Sequence, residues 1–123
     1  MEETELRLWN WVNYYSNNIV WGEVRVNYNT FKTFEQIEAH PNYEFKEFYK
    51  PIPLTEEWLL KFGFVYDADS LTFDYEYNHF VFYLERDFKD IETFSFDSSF
   101  TETKVKYVHQ LQNLYFALTG KEL

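Results

Sequence analysis

The sequence predicts an α+β fold, in which a mostly antiparallel β-sheet of about six to eight strands is covered by a C-terminal amphipathic α-helix. Phe, Trp and Tyr make up 24% of the 123 residues, and this composition favours strands and a folded body over a disordered acidic chain. Several segments also alternate between apolar and polar residues, as half-buried strands do.

The end of the chain predicts the covering helix. Its apolar residues recur at steps of three and four, which places them on one side of a helix. Gly120 supplies a left-handed stop, and Lys121 lies at the negative end of the helix dipole. The apolar side consists of Val108, Leu111, Leu114, Tyr115 and Leu118. We expect this side to cover one face of the sheet.

The remaining elements follow from alternation and from turn residues. Thr55 is a good N-cap and Gly63 a good stop, so a short helix is predicted over residues 55–62. Residues 30–40 fit a strand or a short helix, and we favour a strand that leads into a short helical turn. The predicted strands cover residues 6–15, 19–28, 43–49, 64–66, 71–77, 80–84, 91–97 and 101–105.

Composition limits the classes of function. The chain has no cysteine and only three separated glycines, which excludes disulfides, thiolate chemistry and a glycine-rich phosphate loop. Its first residues are acidic and no stretch is apolar enough to span a membrane. We therefore expect one domain over residues 1–123, located in the cytoplasm, without a cofactor, a metal site or catalytic residues.

The negative charge is concentrated in one segment. The chain carries a net charge of -10, and residues 67–102 hold ten acidic residues against Arg86 and Lys89, a local net charge of -8. Such a surface repels phosphate backbones and attracts a basic protein groove. Alternatively, the charge keeps a small domain in solution.

A candidate partner-binding surface follows from this segment. In the strand predicted over residues 71–77, Leu71, Phe73 and Tyr75 face one way while Thr72, Asp74 and Glu76 face the other. The candidate carboxylates are Asp67, Asp69, Asp74, Glu76, Glu85, Asp87, Asp90 and Glu92, with Tyr75 and Phe88 as aromatic anchors. The alternative interpretation is that the aromatic residues form the core and the acidic residues are merely solvated.

Other chemistry finds little support in the residues. The carboxylate pairs Asp67/Asp69 and Asp74/Glu76 lack the remaining ligands of a calcium loop, so a solvated turn and strand face explain them better. His109 beside the apolar helix stripe is expected to be a packed residue satisfied by a backbone carbonyl. We therefore predict that the chain is not an enzyme.

Two blocks of the sequence, residues 51–64 and 105–123, resemble a family of small proteins encoded by phages and prophages of the Bacteroidetes. Members of this family also tend to begin with Glu-Leu-Arg-x-x-Asn-x-Val, which is similar to residues 5–12. Here Leu8-Trp9 stands where the family pattern has a small residue such as glycine before Asn10.

The resemblance implies a phage origin, and small acidic phage proteins without enzyme motifs often bind and block a host defence protein. It leads to the expectation of an anti-CRISPR-like inhibitor, with a type VI-B RNA-guided nuclease as one plausible target. The partner would then be a basic protein rather than nucleic acid or a membrane. The alternative is a structural or assembly role in the phage.

Overall fold

The computed structural model describes residues 1, 3–16, 19–77, 80–86, 93–97 and 102–123. It confirms a mixed α+β fold with two antiparallel sheets, one of three strands and one of five. The chain divides into two compact units, the first formed by residues 1–52 and 107–123 and the second by residues 53–106. The single domain over residues 1–123 stays a prediction.

The first unit is built on a three-stranded sheet. Its strands are β1 (Trp11–Ser16), β2 (Ile19–Arg25) and β3 (Tyr49–Lys50), in the order β2-β1-β3. A short 3₁₀ helix, Glu3–Glu5, precedes β1. The core of this unit is apolar and consists of Leu6, Val12, Val26, Phe34, Ile37, Phe45 and Tyr49.

Two helices of this unit stand where strands were predicted. Residues 30–39 lie within α1 (Tyr28–Ala39), which ends at the C-cap His40, and most of residues 43–49 belong to α2 (Phe45–Phe48). Both strand predictions were therefore wrong. Asn27 accepts a hydrogen bond from the backbone N–H of Thr30, which begins α1. Aromatic residues at helical spacing in 43–49 also resemble alternation when only a few residues are compared.

The predicted hairpin forms, but its first strand begins later than expected. Residues 8–9 make a turn, and the strand starts only at Trp11. Trp9 has φ +72°, a left-handed conformation that favours glycine.

The C-terminal helix is confirmed as α4 (Val108–Thr119), and Gly120 ends it in the left-handed conformation. It packs against β1 within the first unit. The fully buried amide of Gln112 donates from Nε2 to the Trp9 carbonyl oxygen and accepts at Oε1 from the Trp11 backbone N–H. One side chain of α4 thus binds backbone groups at the start of β1 and in the turn that precedes it.

The second unit contains the five-stranded sheet. After α3 (Glu56–Lys61), which confirms the predicted helix, five strands follow one another along the chain, and each pairs antiparallel with the next. The strands are β4 (Val65–Asp67), β5 (Thr72–Tyr77), β6 (Phe80–Arg86), β7 (Phe94–Asp97) and β8 (Glu102–Val105). Buried Phe73, Leu84 and Phe96 pair across β5, β6 and β7 and form the apolar face.

Candidate functional site: an acidic sheet face

The register of the five-stranded sheet brings four predicted carboxylates to one face. Thr72 pairs with Asp67 on one side and with Glu85 on the other, so these three residues form a row across β4, β5 and β6. Asp74 and Glu76 follow Thr72 at steps of two along β5 and therefore point the same way. Asp67, Asp74, Glu76 and Glu85 therefore lie on the face of the sheet opposite Phe73.

Two exposed apolar residues lie among these carboxylates. Asp74 pairs with Val65 on β4 and with Tyr83 on β6. Val65 is 68% exposed and Tyr83 is 49% exposed. We call the surface formed by Asp67, Asp74, Glu76, Glu85, Val65 and Tyr83 the acidic face. Protein-binding surfaces commonly consist of an exposed aromatic side chain surrounded by polar groups.

The basic residues of the described part of this unit leave the acidic face largely uncompensated. Arg86 pairs with Phe94, on the opposite face, and its guanidinium forms an ion pair with Glu56 at the start of α3, with Nη2 2.9 Å from Oε1. Lys104 does lie on the acidic face, in the row of Glu85 and separated from it by Ser95. Four carboxylates therefore share the described face with one ammonium group.

The carboxylates at the β4 end of this face are held by the adjoining turn. Asp67 Oδ1 accepts hydrogen bonds from the backbone N–H groups of Asp69 and Ser70 at 2.9 and 3.4 Å. These bonds lower the pKa of Asp67 from its ordinary value. The Thr72 hydroxyl donates to Asp74 Oδ1 at 2.7 Å. The exposed carboxylates of Glu76 and Glu85 lie beyond the turn on β5 and β6.

The remaining predicted site residues are not part of this face as described. Asp69 is exposed in the turn after β4. Tyr75 lies on the opposite face, where its ring packs against Phe64 with centroids 5.2 Å apart. Asp87, Phe88, Asp90 and Glu92 lie outside the described residues.

Tyr83 is the residue that the sequence analysis missed. Residues 80–84 are apolar at every position, so the segment showed no alternation from which to choose an outward residue. A signal was nevertheless present in the hairpin. If the sequence is taken to turn between the strands predicted over residues 71–77 and 80–84, Tyr77 faces Phe80, and counting along both strands from this pair places Tyr83 opposite Asp74. The structure has both pairs.

His109 is the described histidine with the most unusual surroundings. It is 1% exposed, and neither ring nitrogen has a hydrogen-bond partner, so the expected bond to a backbone carbonyl is absent. The nearest carboxylate oxygen, Oε1 of Glu5, lies 3.5 Å from Nε2. Burial lowers the pKa of His109 despite this carboxylate. The burial of its ring makes His109 a packing residue of α4.

The described residues form neither a metal site nor a membrane-spanning helix. Among the described residues, no cluster of three or more His, Cys, Asp or Glu side chains is arranged to hold a metal ion. None of the helices in that part of the chain has the length and apolar character needed to cross a bilayer. No protein-family model, curated protein or solved structure matches the chain.

Proposed function

We propose that this chain is a binding protein whose acidic face docks on a basic surface of a partner protein. The observation that carries the proposal is the position of Tyr83, which stands exposed beside Asp74 and on the same face as Glu76 and Glu85. The ring offers apolar area at the centre of a contact, and the carboxylates select a cationic counterpart.

The partner that this chemistry suits is a protein groove lined by Arg and Lys. Arg forms charge-assisted, often bidentate hydrogen bonds to carboxylates, and an array of such residues is what binds nucleic-acid backbones. A sheet face that presents carboxylates at strand spacing competes with RNA for that groove. A net charge of -10 opposes direct binding of nucleic acid by the chain itself.

Together with the resemblance to phage proteins, this leads us to propose inhibition of a host defence nuclease. In this proposal the chain acts in the bacterial cytoplasm as an anti-CRISPR-like inhibitor, and a type VI-B RNA-guided effector is the first target to test. The chain would block the RNA-binding surface without making or breaking bonds.

The test is a pull-down with a purified type VI-B effector at increasing salt concentration, together with an RNA-cleavage assay. Binding is expected at low salt and should weaken as salt screens the carboxylates. The double variant Glu76→Lys/Glu85→Lys and the single variant Tyr83→Ala should each weaken binding by about tenfold or more, because they reverse charges or remove an anchor at the contact.

Matched controls lie in the same unit. Tyr66 is 48% exposed, close to the value for Tyr83, but its ring packs against Phe73 on the opposite face, so Tyr66→Ala should leave binding unchanged. Glu57→Lys on α3 reverses one exposed charge outside the acidic face. The lack of a complex at low salt would exclude this target. A complex that resists salt and tolerates the acidic-face variants would refute the proposed surface.

A further inference from the structure

Strand β2 forms one edge of the three-stranded sheet and carries exposed apolar residues. Within the described part of the chain, β2 has a neighbouring strand only on the β1 side. Ile19, Val20 and Trp21 at its start are exposed, Trp21 to 66%. Proteins normally protect such an edge, because it is a template on which another strand can pair.

The hydrogen bonds at the end of β2 show which residues direct their backbone groups outward. Val26 donates its N–H to the Asn10 carbonyl and accepts at its own carbonyl from the Trp9 N–H, at 2.8 and 2.7 Å, so both of its groups point toward β1. Direction alternates along a strand, and Glu23 and Arg25 therefore direct their N–H and C=O groups away from β1. These two residues define the register that an added strand can take.

The charges of Glu23 and Arg25 favour one self-pairing. When two antiparallel copies of β2 are related by a two-fold axis at Glu23 or at Arg25, that residue faces its own copy and like charges meet. An axis at Gly22 places Glu23 opposite apolar Trp21. With the axis at Val24, Glu23 of each copy faces Arg25 of the other, and the opposite charges meet twice.

We propose that β2 is a homodimerisation strand, in which two copies of the chain pair antiparallel about Val24. The side chains of Glu23 and Arg25 are both exposed on β2. The Arg25 Nε already donates to the Trp9 carbonyl at 3.2 Å, and the guanidinium lies 5.7 Å from the ring centroids of Trp9 and Trp11. These contacts hold Arg25 in place and leave further N–H donors of the guanidinium for a carboxylate.

The same register also brings apolar surface together. In this register, Trp21 of one copy lies opposite residue 27 of the other copy and close to residue 28. Tyr28 begins α1 there and is 70% exposed. Contact between an indole and a phenol ring buries apolar area at each end of the paired strands, which supplies the driving force that exposed ion pairs alone lack. This dimer is independent of the proposed acidic-face interaction.

Charge exchange tests the proposal directly. Sedimentation velocity of the full chain is expected to show a concentration-dependent dimer. Glu23→Arg alone would set Arg against Arg, and Arg25→Glu alone would set Glu against Glu, so each variant should dimerise on the order of tenfold to a hundredfold more weakly. Mixing the two variants should restore a heterodimer, because every facing pair is then of opposite charge.

The mixture also controls for misfolding, since a variant that does not fold cannot restore the dimer. Glu35→Arg on the exposed surface of α1 makes the same charge change elsewhere and should dimerise like the unmodified chain. A chain that stays monomeric at the highest attainable concentration would overturn the proposal. So would a dimer that persists in both single variants, or a mixture that stays monomeric.

Discussion

The buried amide of Gln112 gives the sharpest test of how α4 is attached to β1. Its two hydrogen bonds to the backbone of Trp9 and Trp11 are 3.0 and 2.9 Å long, and the side chain is fully buried. The neighbouring residue Asn113 adds a second set of bonds, because its Oδ1 accepts from Arg7 Nε and Asn10 Nδ2. The residues joined here come from the two ends of the sequence.

Gln112→Ala is expected to lower the free energy of unfolding by about 2–4 kcal/mol. The Trp11 N–H loses its bond to Gln112, which costs about 1–3 kcal/mol for a buried group, while the Trp9 carbonyl keeps its bond from Arg25 Nε. The cavity left by the amide adds to this cost. The loss is a large fraction of the roughly 5–15 kcal/mol that stabilises a typical domain. Urea unfolding followed by tryptophan fluorescence measures it, with Trp9 and Trp11 at the site as reporters.

Gln112→Glu separates the hydrogen bonds from the packing. A carboxylate still accepts from the Trp11 N–H but has no hydrogen to donate to the Trp9 carbonyl, and burial disfavours its charge. Its pKa in the folded state should therefore be raised above the unfolded value of about 4.3. Protonation restores a donor. The difference in free energy of unfolding between Gln112→Glu and the unmodified chain should therefore shrink as the pH falls through the raised pKa.

Gln36→Ala on the exposed side of α1 serves as the control and should change the stability by less than about 0.5 kcal/mol. A similarly small effect of Gln112→Ala would refute the assignment of Gln112 as the attachment of α4. So would a Gln112→Glu variant whose deficit is the same at every pH.

Two further predictions concern the same helix. Burial lowers the pKa of His109, so the folded state binds fewer protons there than the unfolded state, and the free energy of unfolding should fall as the pH drops below about 6.5. In urea unfolding, the stability of His109→Leu should depend less on pH than that of the unmodified chain. An unchanged pH dependence would contradict a lowered pKa of His109. Gly120 has φ +72° with nothing within 4 Å of an added Cβ, so Gly120→Ala should cost about 1–2 kcal/mol through backbone strain alone; a thermal melt without a lowered Tm would show that this end of the helix adapts.

The parts of the fold that the sequence predicted correctly were those with a strong local signal. Thr55 and Gly63 bracketed α3, and the three-four spacing with Gly120 marked α4. The strand prediction for residues 43–49 was wrong because Phe45 and Phe48 belong to a single helical turn and Tyr49 begins a two-residue strand. Both elements are too short to show a period. The division of the strands between two sheets depends on long-range pairing, which no local pattern encodes.

The candidate site divides in the same way. The alternation in residues 72–76 predicted correctly that Asp74 and Glu76 share a face, because the period of a strand fixes this locally. It could not show that Arg86 pairs with Glu56, since that contact depends on where α3 packs. The pairing decides how much of the acidic charge stays uncompensated, so the electrostatics of the site come from the tertiary structure.

The sign pattern of each surface determines the kind of molecule it can bind. The acidic face carries four described carboxylates and one ammonium group, so a second copy of the same face is repelled and a different, cationic molecule is required. Strand β2 instead alternates Glu23 with Arg25, and an antiparallel copy reverses that order, which makes the strand complementary to itself. Reversing charges on the acidic face should therefore leave the dimer intact, and exchanging charges on β2 should leave binding of the basic protein intact.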